Sequence, residues 1–505
     1  MRRAWVGRSP EVLIVVVAVA LTTIGLHTPG EVYFDEVYYV AEARGLLDPA
    51  AATRTSVHPP VGTWLIAAGM SLVGDTPVGW RLMGASAGVL TVWLTYRLVL
   101  TITARQAPAV LAALLLALDG VFLTQARIAM LDIYLVMFVV SGIWLFLLDR
   151  GRRTAPEVDG APAGPAALVG AGSVLGLAVA TKWSGVFALA VVGLLAVAFE
   201  IGALRRRHAP PAATRRAAIG LALCLGVLPG VIYAASWTPW LVASEQGIEA
   251  REDRGAAGAL FEHHRELLDF HLGLEATHRY RASAATWPVQ SRPVVLRWER
   301  CARDGSDRDG QPCEEPGVGR EILALGNLGL WWVGLLSLPV LAGSAARRDW
   351  RGATLLALLA GQYVPWLLTG RPVFAFYAVV LAPVLAAATA FATTELDAPR
   401  RWRGLLLGAT LGGIAGVMAA TLAGVVSAPR VLWALAGTMV GAAIGAIRDR
   451  RHEPVAAADG RVGSVVRGGV AVLAIGLFVY FAPLWFGLPM DLDAIERRWW
   501  FESWI

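Results

Sequence analysis

Between the first two long apolar segments, residues 31–60 read EVYFDEVYYVAEARGLLDPAAATRTSVHPP. Adjacent carboxylates, Asp35 and Glu36, stand here among tyrosine, phenylalanine and valine, and an HPP triplet at 58–60 closes the stretch. An acid embedded in aromatic sequence needs a partner or a chemical role, because burying it bare is costly. The stretch therefore predicts a polar centre held over an apolar scaffold.

The composition is that of a membrane protein. Of 505 residues, 56% are hydrophobic and only 16% are charged, with a mean hydropathy of +0.57, whereas soluble domains carry about 25% charged residues. Apolar runs long enough for a transmembrane helix, about 17–25 residues, recur from end to end. No ten-residue alternation suggests a β-barrel. The net charge of +6 comes from short basic clusters between apolar runs, which indicates membrane orientation and no nucleic-acid partner.

The apolar runs predict an all-α polytopic fold with about 13 transmembrane helices. Placing the arginine clusters in the cytoplasm puts the N-terminus inside and the C-terminus outside. If the Gly/Ala-rich pair at 404–427 and 431–447 does not span, the number falls to 11 with the same orientation. The runs cover roughly residues 12–26, 79–100, 108–124, 128–148, 165–181, 184–203, 217–237, 322–343, 352–369, 373–395, 404–427, 431–447 and 469–487.

This pattern divides the chain into three parts. Residues 1–237 form an N-terminal transmembrane module that includes a catalytic loop at 28–78, and residues 322–505 form a C-terminal transmembrane region. Between them, 238–321 is the one long polar segment, too long for a simple connector and therefore expected to be functional. Its stretch GALFEHHRELLDFHLGL has helical periodicity and predicts a helix at the membrane surface. Cys301 and Cys313 share this segment, and either a local bridge or two free thiols fits the sequence.

Asp35 is the candidate general base. On spacing alone a solvated surface acid is an equally good interpretation, but the aromatic setting and the predicted position outside the cytoplasm favour chemistry. A carboxylate there can take a proton from an incoming hydroxyl, a step that contributes about 10²–10⁴-fold to a rate. Glu36 is the first alternative for this role.

Three cations are predicted at the outer end of the helix bundle, where positive charge is otherwise sparse. They are Arg127, Arg371 and Lys182, the one lysine among 44 basic residues. Charges at membrane depth are functional candidates by default, and both side-chain types suit phosphate. For Asp119, Arg127 and Asp132, a structural ion pair is the alternative interpretation. An acidic loop above a cation cluster predicts transfer from a phosphate-linked donor.

Metal binding is not predicted. His263 and His264 are adjacent and face different directions on a helix, and no further His or Glu spacing completes a site. We expect no required cofactor, because the cations already supply the counter-charge that a divalent metal would give.

An ordered set of motifs over essentially the whole chain resembles the protein O-mannosyltransferases of the bacterial (actinobacterial) kind, which have the GT-C glycosyltransferase fold. The motifs are FDEVYY, VHPPVG, QARIAMLDIYL, ATKWSG, HRYRASAATWPVQSRPV and REILALGNLGLWW. The resemblance implies transfer of mannose from polyprenyl-phosphate-mannose to Ser/Thr hydroxyls of exported proteins, with inversion. It implies a multi-pass protein of the plasma membrane, with extracytoplasmic loops 1 and 4 over the active site. Acceptors would be secreted or membrane proteins, met as they leave the translocon.

The resemblance also implies roles for single residues. Asp35 becomes the general base and Glu36 orients the acceptor or partner groups. Arg127 and Lys182, with Arg371, would bind the donor phosphate and stabilise the charge that grows as the sugar departs. The substrate cleft would be lined by Tyr39, His58, Asp132, His278, Trp287 and Arg292.

The sequence departs from the family pattern at several positions. Thr63 stands where related sequences have a lysine, and Tyr38 replaces a histidine common in fungal relatives. Arg279 and Ala285 depart from the motif of the external segment. These departures do not change the predicted donor class. They leave undecided which residues contact the acceptor and which cations bind the donor phosphate.

Two other functions compete with this one. A sister GT-C transferase would use the same donor class on a lipid or cell-wall glycan. A lipid or solute transporter would show inverted repeats and broken helices at the membrane midplane, and neither is apparent in the sequence.

Overall fold

The structure is a computed structural model, and it describes residues 9–48, 57–154, 166–275, 279–307, 309–397, 440 and 461–504. Within these ranges the fold is predominantly helical. The helices of the N-terminal part are α1 Ser9–Thr23, α2 Glu36–Leu47, α3 Val61–Val73, α4 Pro77–Thr103, α5 Gln106–Ala117, α6 Gly120–Ala126, α7 Asp132–Thr154, α8 Ala166–Val179 and α9 Gly185–Arg206. Those that follow are α10 Pro211–Ala222, α11 Leu228–Ser236, α12 Thr238–Ala243, α13 Glu245–Leu272, α14 Leu328–Ala346, α15 Trp350–Leu367, α16 Ala382–Glu395, α17 Arg461–Phe486 and α18 Leu492–Glu496.

Short irregular helices connect some of these elements. A π-helical turn at Leu223–Val227 joins α10 to α11 without a break. Three 3₁₀ segments cover Ala284–Val289, Ala375–Leu381 and Glu502–Trp504.

Membrane-spanning helices account for most of the fold. Among the described residues, seven helices are long and apolar enough to cross a membrane, or eight if the bent pair α5 and α6 forms one span, and three more are apolar but shorter. The two Gly/Ala-rich runs, 404–427 and 431–447, lie outside the described residues. The prediction of 13 or 11 spans is therefore not tested, whereas the polytopic helical class is confirmed.

Helix α4 is the centre of the N-terminal module. It packs against α1, α3, α5 and α7. Thr76 starts it, its side chain accepting a hydrogen bond from Gly79 N at 3.2 Å, and Pro77 occupies the first turn. Gly69 of α3 lets the two helices approach, because a Cβ at Gly69 would collide with the carbonyl oxygen of Gly79. The approach places the start of α4 beneath the segment that carries Asp35.

The long polar segment adds a small antiparallel sheet to the helical fold. β1 (Val294–Arg300) pairs with β2 (Val318–Ala324), and β2 pairs in turn with β3 (Met490–Asp491) from the end of the chain. Between β1 and β2, Cys301 and Cys313 form a disulfide with a Cα–Cα distance of 5.7 Å. The sheet therefore ties the external segment to the C-terminal tail.

Local structure differs from the sequence predictions in three places. The loop predicted at 28–78 contains two helices, α2 and α3. The predicted span 108–124 bends by 65° between α5 and α6, where Asp119 caps α6. The predicted span 322–343 begins as the end of β2, and its helix starts only at Leu328. An apolar run indicates burial but does not fix the backbone conformation. This explains why the region 28–78 contains helices and why the segment 322–343 begins as a strand.

The disulfide gives a direct test of the external segment. The chain has three cysteines, and Cys224 is free. We expect maleimide labelling of the SDS-denatured, unreduced protein to modify one thiol and labelling after reduction to modify all three, as counted by intact-mass spectrometry. Three labels without reduction would contradict the bridge.

Candidate active site

A buried ion pair fixes the segment that carries Asp35. Glu36 and Arg81 are both fully buried, with Arg81 Nε donating to Glu36 Oε1 at 2.7 Å and Arg81 Nη2 donating to Oε2 at 2.9 Å. Glu36 also accepts hydrogen bonds from Ala129 N (2.8 Å) and Tyr33 N (3.3 Å). Both carboxylate oxygens are thus saturated, as a buried charge requires.

The remaining donors of Arg81 hold the chain that precedes α2. Nη1 donates to Leu26 O at 3.2 Å and to Pro29 O at 2.7 Å, and Nη2 donates to Glu31 O at 3.0 Å. Together with the two bonds to Glu36, all five guanidinium N–H groups are used. One side chain from α4 therefore fixes the backbone path from residue 26 to residue 36.

The carboxylate of Asp35, the residue before Glu36, has no hydrogen-bond partner among the described residues. It lies at the N-cap of α2, yet its carboxylate accepts no capping hydrogen bond. Within the described ranges, the half-buried side chain makes no hydrogen bond or ion pair. Burial raises the pKa of Asp35 to about 6, with nearby Lys182 lowering it and nearby Asp132 raising it. A carboxyl with such a pKa is suited to proton transfer near neutral pH.

Lys182 lies beside Asp35 in the connection between α8 and α9. Its Nζ donates to both carboxylate oxygens of Asp132, at 2.9 Å each, and sits 4.4 Å from the ring centroid of Tyr377. Both charged residues are buried. An ammonium has three donors, so the pair with Asp132 leaves one N–H of Lys182 for a further acceptor.

Arg371 provides a second cation of a different kind. Its Nη1 donates to Nδ1 of His271 at 3.0 Å, and its buried Nε has no partner. No carboxylate in the described part of the chain pairs with it. Arg371 therefore carries an uncompensated positive charge, which suits it to an anionic ligand.

Two predicted cleft residues lie against this cluster. The His58 ring stacks on His271 with centroids 5.4 Å apart, and the Tyr39 ring lies 6.3 Å from that of His58. The structure thus brings together Asp35, Tyr39, His58, Asp132, Lys182 and Arg371 of the predicted set.

The prediction for Glu36 is corrected. A fully buried carboxylate whose oxygens accept four hydrogen bonds cannot meet a substrate, so Glu36 neither orients an acceptor nor serves as an alternative base. Its physical role is to anchor the segment before α2.

Arg127 contacts a different set of residues from Lys182 and Arg371. Its Nη1 donates to Leu21 O (3.0 Å) and Thr22 O (3.3 Å) at the end of α1, and its guanidinium lies over Phe486 of α17 at 4.6 Å. The three predicted phosphate ligands therefore do not form one cluster, because only Lys182 and Arg371 flank His58.

The predicted cleft residues of the external segment are distributed differently. Trp287 is fully buried and packs behind Tyr377, with ring centroids 6.3 Å apart, so it supports the cleft without lining it. Arg292 is half-buried with an unpaired Nε and, among the residues described, makes no hydrogen bond or ion pair with the cluster. His278 lies outside the described residues.

Three residues of the site were missed by sequence reasoning. Arg81 carried a usable signal, because it is a charge inside the predicted span 79–100. Tyr377 and His271 carried none, since an aromatic in an apolar run and a histidine on a polar helix are both ordinary. Among the described residues, no group of three His, Cys, Asp or Glu side chains that could hold a metal ion occurs.

The Glu36–Arg81 pair predicts a large stability effect. Arg81→Leu should destabilise the protein by roughly 3–5 kcal/mol, because it leaves an uncompensated buried carboxylate. The double variant Arg81→Leu/Glu36→Gln should recover part of that loss. The control is Arg44→Leu, which breaks a surface pair with Asp75 and should cost at most about 1 kcal/mol. Thermal unfolding in detergent compares them, and equal shifts for Arg81→Leu and Arg44→Leu would contradict the assignment.

Two protein-family descriptions match successive parts of the chain. Residues 12–240 match the family described as dolichyl-phosphate-mannose-protein mannosyltransferase. Residues 257–504 match the C-terminal four-transmembrane region of protein-O-mannosyltransferase.

Individual relatives cover most of the chain. A Mycobacterium tuberculosis protein named polyprenol-phosphate-mannose–protein mannosyltransferase is 32% identical over 425 residues, which is 76% of this chain and 79% of the relative. A Corynebacterium glutamicum protein of the same name is 28% identical over 73% of this chain and 78% of the relative.

Solved structures show the same fold. The Saccharomyces cerevisiae protein O-mannosyltransferase complex bound to its sugar donor matches with a TM-score of 0.69 at 15% identity, covering 98% of this chain and 92% of that one. ArnT from Cupriavidus metallidurans bound to undecaprenyl phosphate matches with a TM-score of 0.55 at 18% identity, over 98% and 79% of the two chains. The predicted GT-C fold is confirmed, and the chain belongs to the protein O-mannosyltransferase family.

Proposed function

We propose that this protein transfers mannose from polyprenyl-phosphate-mannose to a Ser or Thr hydroxyl of an exported protein, with inversion at the anomeric carbon. The observation that carries the proposal is the position of Asp35, a carboxylate without an ion pair among the described residues, beside Lys182, which together with Arg371 lies near His58. Family membership supports the donor and acceptor classes.

The acceptor half of the reaction is assigned to Asp35. Its carboxylate takes the proton of the incoming hydroxyl while the hydroxyl oxygen forms the bond to the anomeric carbon. The bond between that carbon and the phosphate oxygen breaks, and polyprenyl phosphate leaves with the electron pair. Attack from the face opposite the phosphate inverts the configuration. Asp35 suits this step because its pKa of about 6 leaves it mostly ionised at pH 7 while keeping it basic.

The leaving-group half is assigned to Lys182 and Arg371. Lys182 keeps one N–H beyond its two bonds to Asp132, and Arg371 keeps an unpaired Nε. Preorganised donors of this kind stabilise the charge that develops on the phosphate as the glycosidic bond breaks. Arg127 is assigned to holding the end of α1, since its Nη1 donates to backbone carbonyls there. No metal is required in this scheme.

The cleft around these groups is assigned to Tyr39 and His58, with Asp132 orienting Lys182. Arg292 and His278 remain predicted cleft residues. The prenyl chain would run between helices open to the bilayer.

The reaction is placed on the extracytoplasmic side of the plasma membrane, with the N-terminus in the cytoplasm and acceptors met as they leave the translocon. The disulfide in the segment that also holds α13 supports this side, because disulfides persist outside the reducing cytoplasm.

Label transfer tests the function. Membranes with the protein, radiolabelled polyprenyl-phosphate-mannose and a Ser/Thr-containing peptide should yield labelled peptide, in which the sugar has the opposite anomeric configuration to the donor. Asp35→Asn should slow transfer by roughly 10²–10⁴-fold because the base is lost. The control Asp269→Asn changes a carboxylate that is 72% exposed on α13 and should transfer normally.

Two results would contradict this proposal. Label that appears only in lipid would move the acceptor to the lipid or glycan class. Near-normal turnover by Asp35→Asn would remove the base assignment.

The pKa of Asp35 also predicts a pH profile. The base works only when ionised, so kcat/KM should be level above about pH 7 and fall tenfold per pH unit well below 6. The residual transfer by Asp35→Asn should lack this acid limb. An unchanged limb in that variant would assign the titration to another group.

A further inference from the structure

His271, near the C-terminal end of α13, lies where three parts of the chain meet. Its Nε2 is 2.8 Å from Val57 O in the segment before α3, and its Nδ1 is 3.0 Å from Nη1 of Arg371, which follows α15. Its ring stacks on His58 at 5.4 Å and lies 5.4 Å from Trp183, the neighbour of Lys182 in sequence.

The partners of His271 define its tautomer. An arginine only donates, so Nδ1 of His271 must accept the hydrogen bond from Arg371. Nε2 must then carry the proton, which it donates to Val57 O. The ring is therefore neutral, because protonation of Nδ1 would remove the acceptor and place two cations in contact.

Its surroundings favour this neutral state. Burial lowers the pKa of His271, the charges of Arg371 and Lys182 lower it further, and only the hydrogen bond to Val57 raises it.

We propose that His271 is a positioning residue for the donor phosphate. Its Nδ1 accepts from Arg371 and holds that side chain in the cleft, and its Nε2 donates to Val57 O in the segment that carries His58. Arg371 has no carboxylate partner in the described part of the chain, so this neutral acceptor orients the guanidinium without cancelling its charge. A carboxylate in the same place would form an ion pair and weaken attraction for an anion. The external helix α13 thereby becomes part of the donor site. The inference rests on the proposed function, which assigns Arg371 to the phosphate.

Two conservative substitutions separate the two ring nitrogens. An asparagine amide can take the place of Nδ1, and a glutamine amide the place of Nε2. His271→Asn should therefore keep the contact with Arg371, whereas His271→Gln should keep only the contact with Val57. We expect His271→Leu and His271→Gln to raise the donor KM roughly tenfold, the loss of one hydrogen bond to a charged group. In both variants kcat should fall as well, because Arg371 is also assigned to the charge that develops on the leaving phosphate, whereas His271→Asn should stay near wild type in both kcat and KM.

A matched control lies on the same helix. His263 is buried, whereas His271 is half-buried, and His263 stacks on Trp240 at 4.2 Å and contacts Trp237. His263→Leu disturbs the packing of α13 without touching Arg371, and its donor KM should stay near wild type. Equal increases for His263→Leu and His271→Leu would overturn the proposal, as would a lower KM for His271→Gln than for His271→Asn.

A double-mutant cycle with Arg371→Leu completes the test. In that background His271→Leu should cause no further rise in donor KM, because its effect runs through Arg371. Independent, multiplying effects would overturn the proposal. Binding of radiolabelled donor to the purified full-length variants gives the same readout without turnover. A failure of peptide mannosylation in the wild type would thus be distinguishable from a failure of His271.

Discussion

The buried ion pair between Glu36 and Arg81 is the interaction on which the site depends. Removing two charges from water carries a large desolvation free energy, which is offset only where every donor and acceptor has a hydrogen-bond partner. Here the carboxylate accepts four hydrogen bonds and the guanidinium donates five. Such a pair tolerates little movement, so the backbone before α2 has one arrangement. The contacts of Glu36 therefore fix the position of its neighbour Asp35, the candidate base.

Adjacent acids acquire opposite roles from this arrangement. Successive residues at the start of a helix point in different directions, so anchoring Glu36 inward leaves Asp35 facing the cleft. Glu36 is surrounded by donors, whereas Asp35 has none from its own helix end. Burial without compensating hydrogen bonds raises the pKa of Asp35. The same residue class at neighbouring positions therefore yields a structural anion and a candidate base.

Sequence reasoning reached the class of protein and most of the site, but not its pairings. Apolar runs and arginine clusters are local signals, so they predicted the helices and the importance of Asp35, Lys182 and Arg371. The partners are 45 residues apart for Glu36 and Arg81 and 50 for Asp132 and Lys182. No spacing rule within one helix connects such residues, which is why the sequence predicted a catalytic role for Glu36 and not its pairing with Arg81. Arg81 lies inside a regular apolar run and was overlooked for that reason. The free-energy cost of placing a charged side chain in a membrane-spanning helix is by itself enough to predict that Arg81 needs a partner.

The charges of Lys182 and Arg371 are compensated to different extents, so the two cations attract an anion unequally. Lys182 is matched by Asp132, so that pair is close to neutral and attracts a phosphate mainly through one remaining N–H. Arg371 is matched by the neutral ring of His271, so its whole charge remains available. A monoanionic phosphodiester placed between them would neutralise Arg371 and accept from Lys182. Asp35 would then still have no ion pair with any of the described residues. That residual basicity is what removal of a hydroxyl proton requires.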